Sequence, residues 1–582
     1  MIGIDLGTTN SLVCVWEESG VRLIKNRFGD TLTPSIVSFD SDGTIYVGKT
    51  AKERLVTQPE TTFREFKRDM GTDVKFKAYG QTYTPEELSA LVLKQLKEDA
   101  EFELGHTVEE VVISVPAYFD DKQRAATRNA GLLAGLKVER LINEPSAAAL
   151  SYHIEHYDED EMFVVFDFGG GTLDVSLVDS FDNIIEIQAI SGDNKLGGKD
   201  FNALIAHDIC AQNNILWDRL SSQTKEILLR EAEQVKIKLT DEENAATKLR
   251  IDGKEYSYEL DNQRLIDLSG ELFAGIQKAL TRMMNERMVT PDDISRVIMV
   301  GGSSKMPVVR QFISKLFRGR ISDSGNPDEI VCLGTGVVCG IKQRKDKIKD
   351  IVISDICPFT LGVGVVGDIM EPIISRNQVL PCSNMHLFTT IRDYQERINL
   401  VVYQGEERYA SRNLSLAKIE LFVPPKPKGQ VEVTVRFSYD INGLFDIDVD
   451  CPDTGEHIHR ELHNFGRMTE EEIQARKAVL EKMKIHPREE ERNKCLLERA
   501  NALYIECNRT QQEFLIRAIT RFEEALDRQS AVAIEKAYRT FTVQLTWLEA
   551  SMFSFHAFDT QQWERTFEED YDEEVCDEET GG

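Results

Sequence analysis

Three kinds of hydrophobic spacing divide the 582 residues. Up to about residue 345, short apolar runs such as Ile2–Ile4, Val111–Val115, Phe163–Phe166 and Ile298–Val300 alternate with helical segments and glycine-rich turns. That is the pattern of an α/β domain. Val431–Phe437 and Phe445–Asp450 instead alternate apolar and polar residues, with the hairpin signal Asn442-Gly443 between them. Residues 356 to about 460 are therefore read as all β. In the remainder, Ile534, Tyr538, Phe541, Leu545, Leu548 and Met552 recur at helical spacing, and Thr469 with Glu472 forms a capping box. The spacing predicts helices over 469–556.

The turns carry the first chemistry. Gly3-Ile4-Asp5-Leu6-Gly7-Thr8-Thr9-Asn10-Ser11 ends a strand in a carboxylate and then a turn of small and hydroxyl residues. Successive backbone N–H groups in such a turn favour an anion, Thr8, Thr9 and Asn10 add donors, and Asp5 suits a cation. Phe163–Thr172 repeats the design, with Asp167 and then Gly169, Gly170, Gly171 and Thr172. Two such hairpins predict a duplicated domain closing on one nucleotide–metal complex from both sides. Gly197-Gly198 and Gly301-Gly302-Ser303 each lie between a strand and a helix, a geometry that suits a ligand on a helix N-terminus. Glu144, in Asn143-Glu144-Pro145-Ser146, also reads as a simple first-turn dipole partner, and Lys67 as a solvated lysine.

Composition narrows the classes. A formal net charge of −30 argues against nucleic-acid binding. Nine of those acids fall within Glu568–Glu579, which reads as a solvated, disordered tail. No run approaches eighteen apolar residues, so no membrane partner is expected. Ten cysteines without a CxxC pair read as reduced, mostly buried thiols, and the absence of a secretory signal adds the expectation of a cytoplasmic protein.

Five motifs together are specific: GIDLGTTNS at 3–11, VPAYF at 115–119, NEPSAAAL at 143–150, FDFGGGTLDVS at 166–176 and VGGSSKMP at 300–307. On these the chain resembles the seventy-kilodalton heat-shock chaperone family (DnaK-like), within the actin and sugar-kinase ATPase superfamily. The resemblance runs to about residue 455 and weakens beyond it. It implies a multidomain fold: an actin-like, duplicated, two-lobed α/β ATPase domain over 1–348, a linker over 349–356, a peptide-binding β-sandwich over 357–465, a helical lid over 466–557 and an acidic tail over 558–582.

The resemblance also implies roles. Thr8, Thr9, Gly169, Gly170, Gly171 and Thr172, with Gly7, Asn10, Gly197 and Gly198, would hold the phosphates of ATP or ADP. Asp5 and Asp167 would orient Mg2+, and Asp174 would help hold K+. Lys67 and Glu144 would flank the γ-phosphate, with Lys67 and Thr172 positioning the attacking water. Glu233, Lys236, Thr240, Gly301, Gly302, Ser303, Lys305 and Asp328 would contact the adenosine.

Beyond the ATPase, Ile351–Ile356 is an apolar strip, and such a linker is expected to dock onto a neighbour. Ser354 stands where the family pattern has leucine. Val363, Val366, Phe388, Ile391, Ile398 and Leu400 match the family's peptide pocket, and Ile391, in place of a small residue, predicts a narrower cleft. Arg140 and Asp355 match positions that engage a J-domain co-chaperone. Two departures, a brief connection between Thr240 and Asp261 and Lys305 where an arginine would stack on adenine, predict that a general exchange factor is dispensable. The implied function is an ATP-dependent chaperone for unfolded or specific client polypeptides. A small-molecule kinase and a nucleotide-dependent filament protein remain as alternatives.

Overall fold

Each strand–glycine–strand repeat lies inside its own sheet, and the two sheets are built alike. In the computed structural model, residues 1–552 are described apart from 157–159, 252–253, 323–324, 346–347, 349, 441–444, 462–475, 477–483, 486–487 and 528–530. The Asn442-Gly443 turn, the Thr469–Glu472 capping box and the acidic tail lie outside the described residues. The chain forms two compact units. The first holds 1–35, 64–200 and 270–483; the second holds 36–63, 201–269 and 484–582.

In the first unit, Ile2–Asp5 pairs antiparallel with Asn10–Glu17 and parallel with Glu110–Val115, which pairs parallel with Lys137–Asn143. Glu161–Phe168 repeats this, antiparallel to Leu173–Phe181 and parallel to Arg296–Val300, which pairs with Ile321–Ser322. Ile2, Ile4, Val111–Ile113 and Phe163–Phe166 are all buried, as strands covered on both faces must be. The helices Glu144–Glu155 and Ile330–Lys342 pack closely through small residues. A Cβ on Gly334 would collide with the carbonyl of Ala147.

The apolar linker is a strand. Val352–Ser354 pairs parallel with Ile184–Glu186 at the edge of the second sheet, and Ser354 lies opposite Glu186. Beyond it stand two four-stranded sheets. One runs in the order Ile369–Ile374, Leu361–Val365, Arg397–Gln404, Leu414–Phe422. The other runs Cys382–Thr389, Glu432–Tyr439, Phe445–Cys451, Glu456–Glu461. Strict alternation buries Val433, Val435, Phe437 and Tyr439 on one strand and Phe445, Ile447, Val449 and Cys451 on the next, forming a shared core with Leu361, Ile398 and Leu400.

This sandwich rests on the α/β part of the same unit. Tyr439 Oη donates to Asp121 Oδ1 at 3.0 Å, and Gln404 Oε1 accepts from the Asp121 backbone N–H at 3.2 Å. Arg376 pairs with Glu286 at 3.1 Å, Asn377 donates to Glu286 at 2.7 Å, and the Tyr118 and Phe359 rings meet edge-on.

In the second unit, the helices Arg488–Glu506, Arg509–Asp527 and Ala531–Met552 share one apolar core that includes Leu503, Phe514, Phe522, Phe541 and Leu545. The stretch between Thr240 and Asp261 is a hairpin, Asn244–Ile251 against Lys254–Asp261, rather than a bare connection. Among the described residues no helix is long and apolar enough to cross a membrane. The described cysteines are free thiols, all buried except the partly exposed Cys382.

Candidate functional site

Strand ends bring the carboxylates together. Asp5 ends its strand opposite Ser114, whose hydroxyl donates to Asp5 Oδ1 at 2.6 Å. Asp167 and Asp174 are cross-strand partners in the repeat hairpin, and Asp174 Oδ1 accepts from the Tyr118 backbone N–H at 3.2 Å. Lys67 occupies a short 3-10 turn, Phe66–Asp69, entered through Glu65 in a left-handed conformation. This turn carries Lys67 inward, so the lysine is buried. Its Nζ lies 2.7 Å from Glu144 Oε1, at the first turn of the alanine-rich helix.

Burial pushes the Asp5 carboxyl up to about 6, with Glu144 adding to the rise and Lys67 opposing it. Burial likewise pushes Asp174 up to about 7 and Asp167 well above the ordinary carboxylate range, again with Glu144 contributing. Charges that cannot be solvated and that repel one another favour the neutral forms. A cation among them would reverse the effect. Among the described residues no three His, Cys, Asp or Glu side chains converge on one point to cage a metal directly. Asp174 Oδ2 is buried without a hydrogen-bond partner. That unpartnered carboxylate oxygen fits a bound cation.

The two glycine turns face each other. A Cβ on Gly170 would overlap the Thr9 hydroxyl, and one on Gly171 would overlap Thr8, so only glycine permits the approach. Arg68, which the sequence did not single out, donates through Nε to Gly171 O at 2.6 Å and pairs with Asp200 at 3.1 Å. Asp200 in turn accepts from the Gly197 backbone N–H at 2.7 Å, and Gly198 N donates to Gly169 O. Arg68, Ser114, Tyr118 and Asp200 thus brace the turns. Two signals were available: Tyr118 lies in the VPAYF motif, and Arg68 adjoins Lys67.

Gly301, Gly302 and Ser303 follow the Arg296–Val300 strand, and Lys305 Nζ pairs with Asp328 Oδ2 at 2.5 Å. Glu233 and Lys236 lie on the Ser222–Lys238 helix of the second unit, with Thr240 just past its end, and Glu233 pairs with Lys52 at 3.7 Å.

Of the candidate peptide positions, Val363, Ile398 and Leu400 belong to the sandwich core, and Phe388 packs against it from a partly buried site. Val366 and Ile391 are exposed, at 66% and 47%. Asp355 accepts from Asn143 Nδ2 at 2.7 Å and Ser146 Oγ at 3.0 Å. Arg140 is buried, which lowers its pKa, while Asp355 and Asp440 oppose the shift.

A family model described as Hsp70 protein matches residues 1–79 and 72–569. The Chaperone protein DnaK of Thermotoga neapolitana is 37% identical over 518 residues, covering 86% of each chain. The Chaperone protein DnaK of Thermosipho africanus is 36% identical over 525 residues, covering 87% of each.

Proposed function

This chain belongs to the Hsp70 protein family, and from that premise we propose how its own residues divide the family's work. It is an ATP-dependent Hsp70-type chaperone and an ATPase. Members of the family bind ATP or ADP with Mg2+, unfolded polypeptides and J-domain co-chaperones. The ATPase domain is assigned to 1–348, the linker to 349–356, the peptide-binding sandwich to 357–465, the lid to 466–557 and a solvated tail to 558–582.

Thr8, Thr9, Gly169, Gly170, Gly171 and Thr172 hold the β- and γ-phosphates, helped by Gly7, Asn10, Gly197 and Gly198. Lys67 and Thr172 orient the attacking water, and Glu144 fixes Lys67 where it can do so. Phosphoryl transfer of this kind rests on positioning and charge neutralisation rather than on a side-chain nucleophile. Asp5 and Asp167 would hold Mg2+, which neutralises developing phosphate charge when bound, and Asp174 would help hold K+. Glu233, Lys236, Thr240, Gly301, Gly302, Ser303, Lys305 and Asp328 contact the adenosine.

Extended apolar client segments bind at Val363, Val366, Phe388, Ile391, Ile398 and Leu400, with their backbone pairing strand-like. Arg140 and Asp355 answer to a J-domain co-chaperone. The protein works in the cytoplasm. Lys305, which grips adenine less firmly than an arginine would, supports ADP release without a general exchange factor, whereas the hairpin over 244–261 removes the brief connection as a ground for it. The buried Lys67–Glu144 pair beside three carboxylates with raised pKa carries the nucleotide reading, because a cation among those carboxylates would restore their ionised forms while the facing glycine turns offer backbone donors to a phosphate. ATP turnover measured with and without Mg2+ and an unfolded peptide tests it. Hydrolysis that needs Mg2+ and rises with peptide is expected; phosphorylation of a small molecule, or no turnover, would overturn it.

A further inference from the structure

Two insertions stand face to face in the second unit. Residues 36–63 interrupt the first repeat and carry the Lys49–Thr57 helix; residues 201–269 interrupt the second and carry the Ser222–Lys238 helix. These helices touch lightly, through Lys52–Glu233 at 3.7 Å and Gln223 Nε2 donating to Val56 O at 3.1 Å. A third helix, Arg488–Glu506 of the C-terminal bundle, grips both.

On the first insertion, Thr50 Oγ1 donates to Glu491 at 3.1 Å, and Arg54 pairs with Glu498 at 3.0 Å. Arg54 and Glu498 are both buried, and Arg54 also donates to Ser38 Oγ at 2.9 Å and lies over the Tyr46 ring. On the second, Arg230 pairs with Glu506. Between these contacts, Ala502 and Ile505 sit against Val56 of one insertion and Ile227 of the other in a single apolar cluster. The backbone adds a further tie, since Lys484–Ile485 pairs parallel with Thr44–Ile45. The buried Arg54–Glu498 pair, the partly buried Arg230–Glu506 pair and an apolar plug shared among three helices do not part piecemeal, because removing one partner of the buried pair strands the other in a dry site.

We propose that the C-terminal helical bundle is a built-in clamp on nucleotide release: it holds the two insertions together, and ADP leaves when the Arg488–Glu506 helix lifts off them. The inference rests on the nucleotide reading above, in which Glu233 and Lys236 of the clamped helix contact the adenosine. It names the part of this chain that would set the release rate in place of an external factor.

The test uses the full chain loaded with a fluorescent ADP and chased with unlabelled ATP in a stopped-flow instrument. Cys495, buried on the clamping helix, reports docking through its reactivity toward a maleimide, read by mass spectrometry. In Glu506→Arg and Ala502→Asp, Cys495 is expected to become reactive and ADP release to quicken at least tenfold. The swap Arg230→Glu with Glu506→Arg is expected to restore both. Reactive Cys495 with unchanged release overturns the clamp while leaving the nucleotide reading intact. Cys495 staying protected in both variants also overturns it, since these contacts would then not hold the helix. Failure of the unaltered chain to bind ADP at all overturns the nucleotide reading, and the clamp with it.

Discussion

Lys67 Nζ and Glu144 Oε1 lie 2.7 Å apart, and both side chains are buried. Two positions that read singly as a surface lysine and a helix-start acid are one ion pair inside the protein. Removing either partner leaves the other uncompensated, at a cost of about 3–5 kcal/mol.

Lys67→Ala is therefore expected to lose turnover and to destabilise the nucleotide-free protein together. The double variant Lys67→Ala with Glu144→Gln separates the two effects. Its thermal midpoint should return most of the way, while single-turnover hydrolysis stays absent. Near-normal hydrolysis in either variant removes Lys67 from the chemistry.

The three carboxylates give a pH dependence whose sign is fixed. With Asp5 near 6 and Asp174 near 7, the nucleotide-free fold binds more protons than the unfolded chain between the ordinary carboxylate pKa and these raised values. Stability without ligand falls as pH rises through that window, by up to about 1.4 kcal/mol per unit for each group. Mg2+–ADP requires the ionised forms, so the rise in Tm on adding it should be larger at pH 8 than at pH 6. Equal shifts at both values would sink this account.

Val366 is 66% exposed, so a larger side chain there meets solvent rather than core. Val366→Phe should leave the fold and basal ATPase unchanged and weaken binding of a labelled apolar peptide by about 1–3 kcal/mol, the usual cost of overfilling a packed site. Fluorescence anisotropy reads the affinity directly, and an unaltered Kd means that the cleft lies elsewhere.

Tyr439 joins the sandwich to the ATPase by donating to Asp121, a buried carboxyl that burial pushes up to about 6. Tyr439→Phe keeps the ring in the core and removes only the donor, which weakens the contact by about 1–3 kcal/mol. Basal ATPase should persist, and its stimulation by peptide should fall several-fold. Full stimulation in this variant would show that the contact transmits nothing.

Local pattern made much of this fold legible. The Asp5 and Asp167 hairpins, the alternation of Val431–Phe437 and the stripe from Ile534 to Met552 each declare an element through neighbouring residues. What the sequence hid are partners far apart in the chain. Nothing near Lys67 announces that a left-handed Glu65 turns it inward. Nothing near Asp121 announces Tyr439, 318 positions away. The hairpin over 244–261 carries the alternation too, with Ala245, Thr247, Leu249 and Ile251 buried on one strand and Tyr258 and Leu260 on the other, but so short a stretch between two helices also reads as a plain connection. The connection to the sandwich was legible as apolar, and its place as a sheet-edge strand was not, because pairing is decided by the neighbour.

That connection has no slack. Val352–Ser354 is hydrogen-bonded to one sheet, Asp355 is held by Asn143 and Ser146, Ile356 bridges to Val379, and Cys357 is already buried in the sandwich. A flexible tether would let the sandwich wander at a fixed distance while staying attached. A taut one admits two positions only, seated or free, so motion of one body reaches the other without lost travel. Inserting two glycines after Asp355 would supply the missing play: each domain would keep its own activity, and the timing between them would be lost.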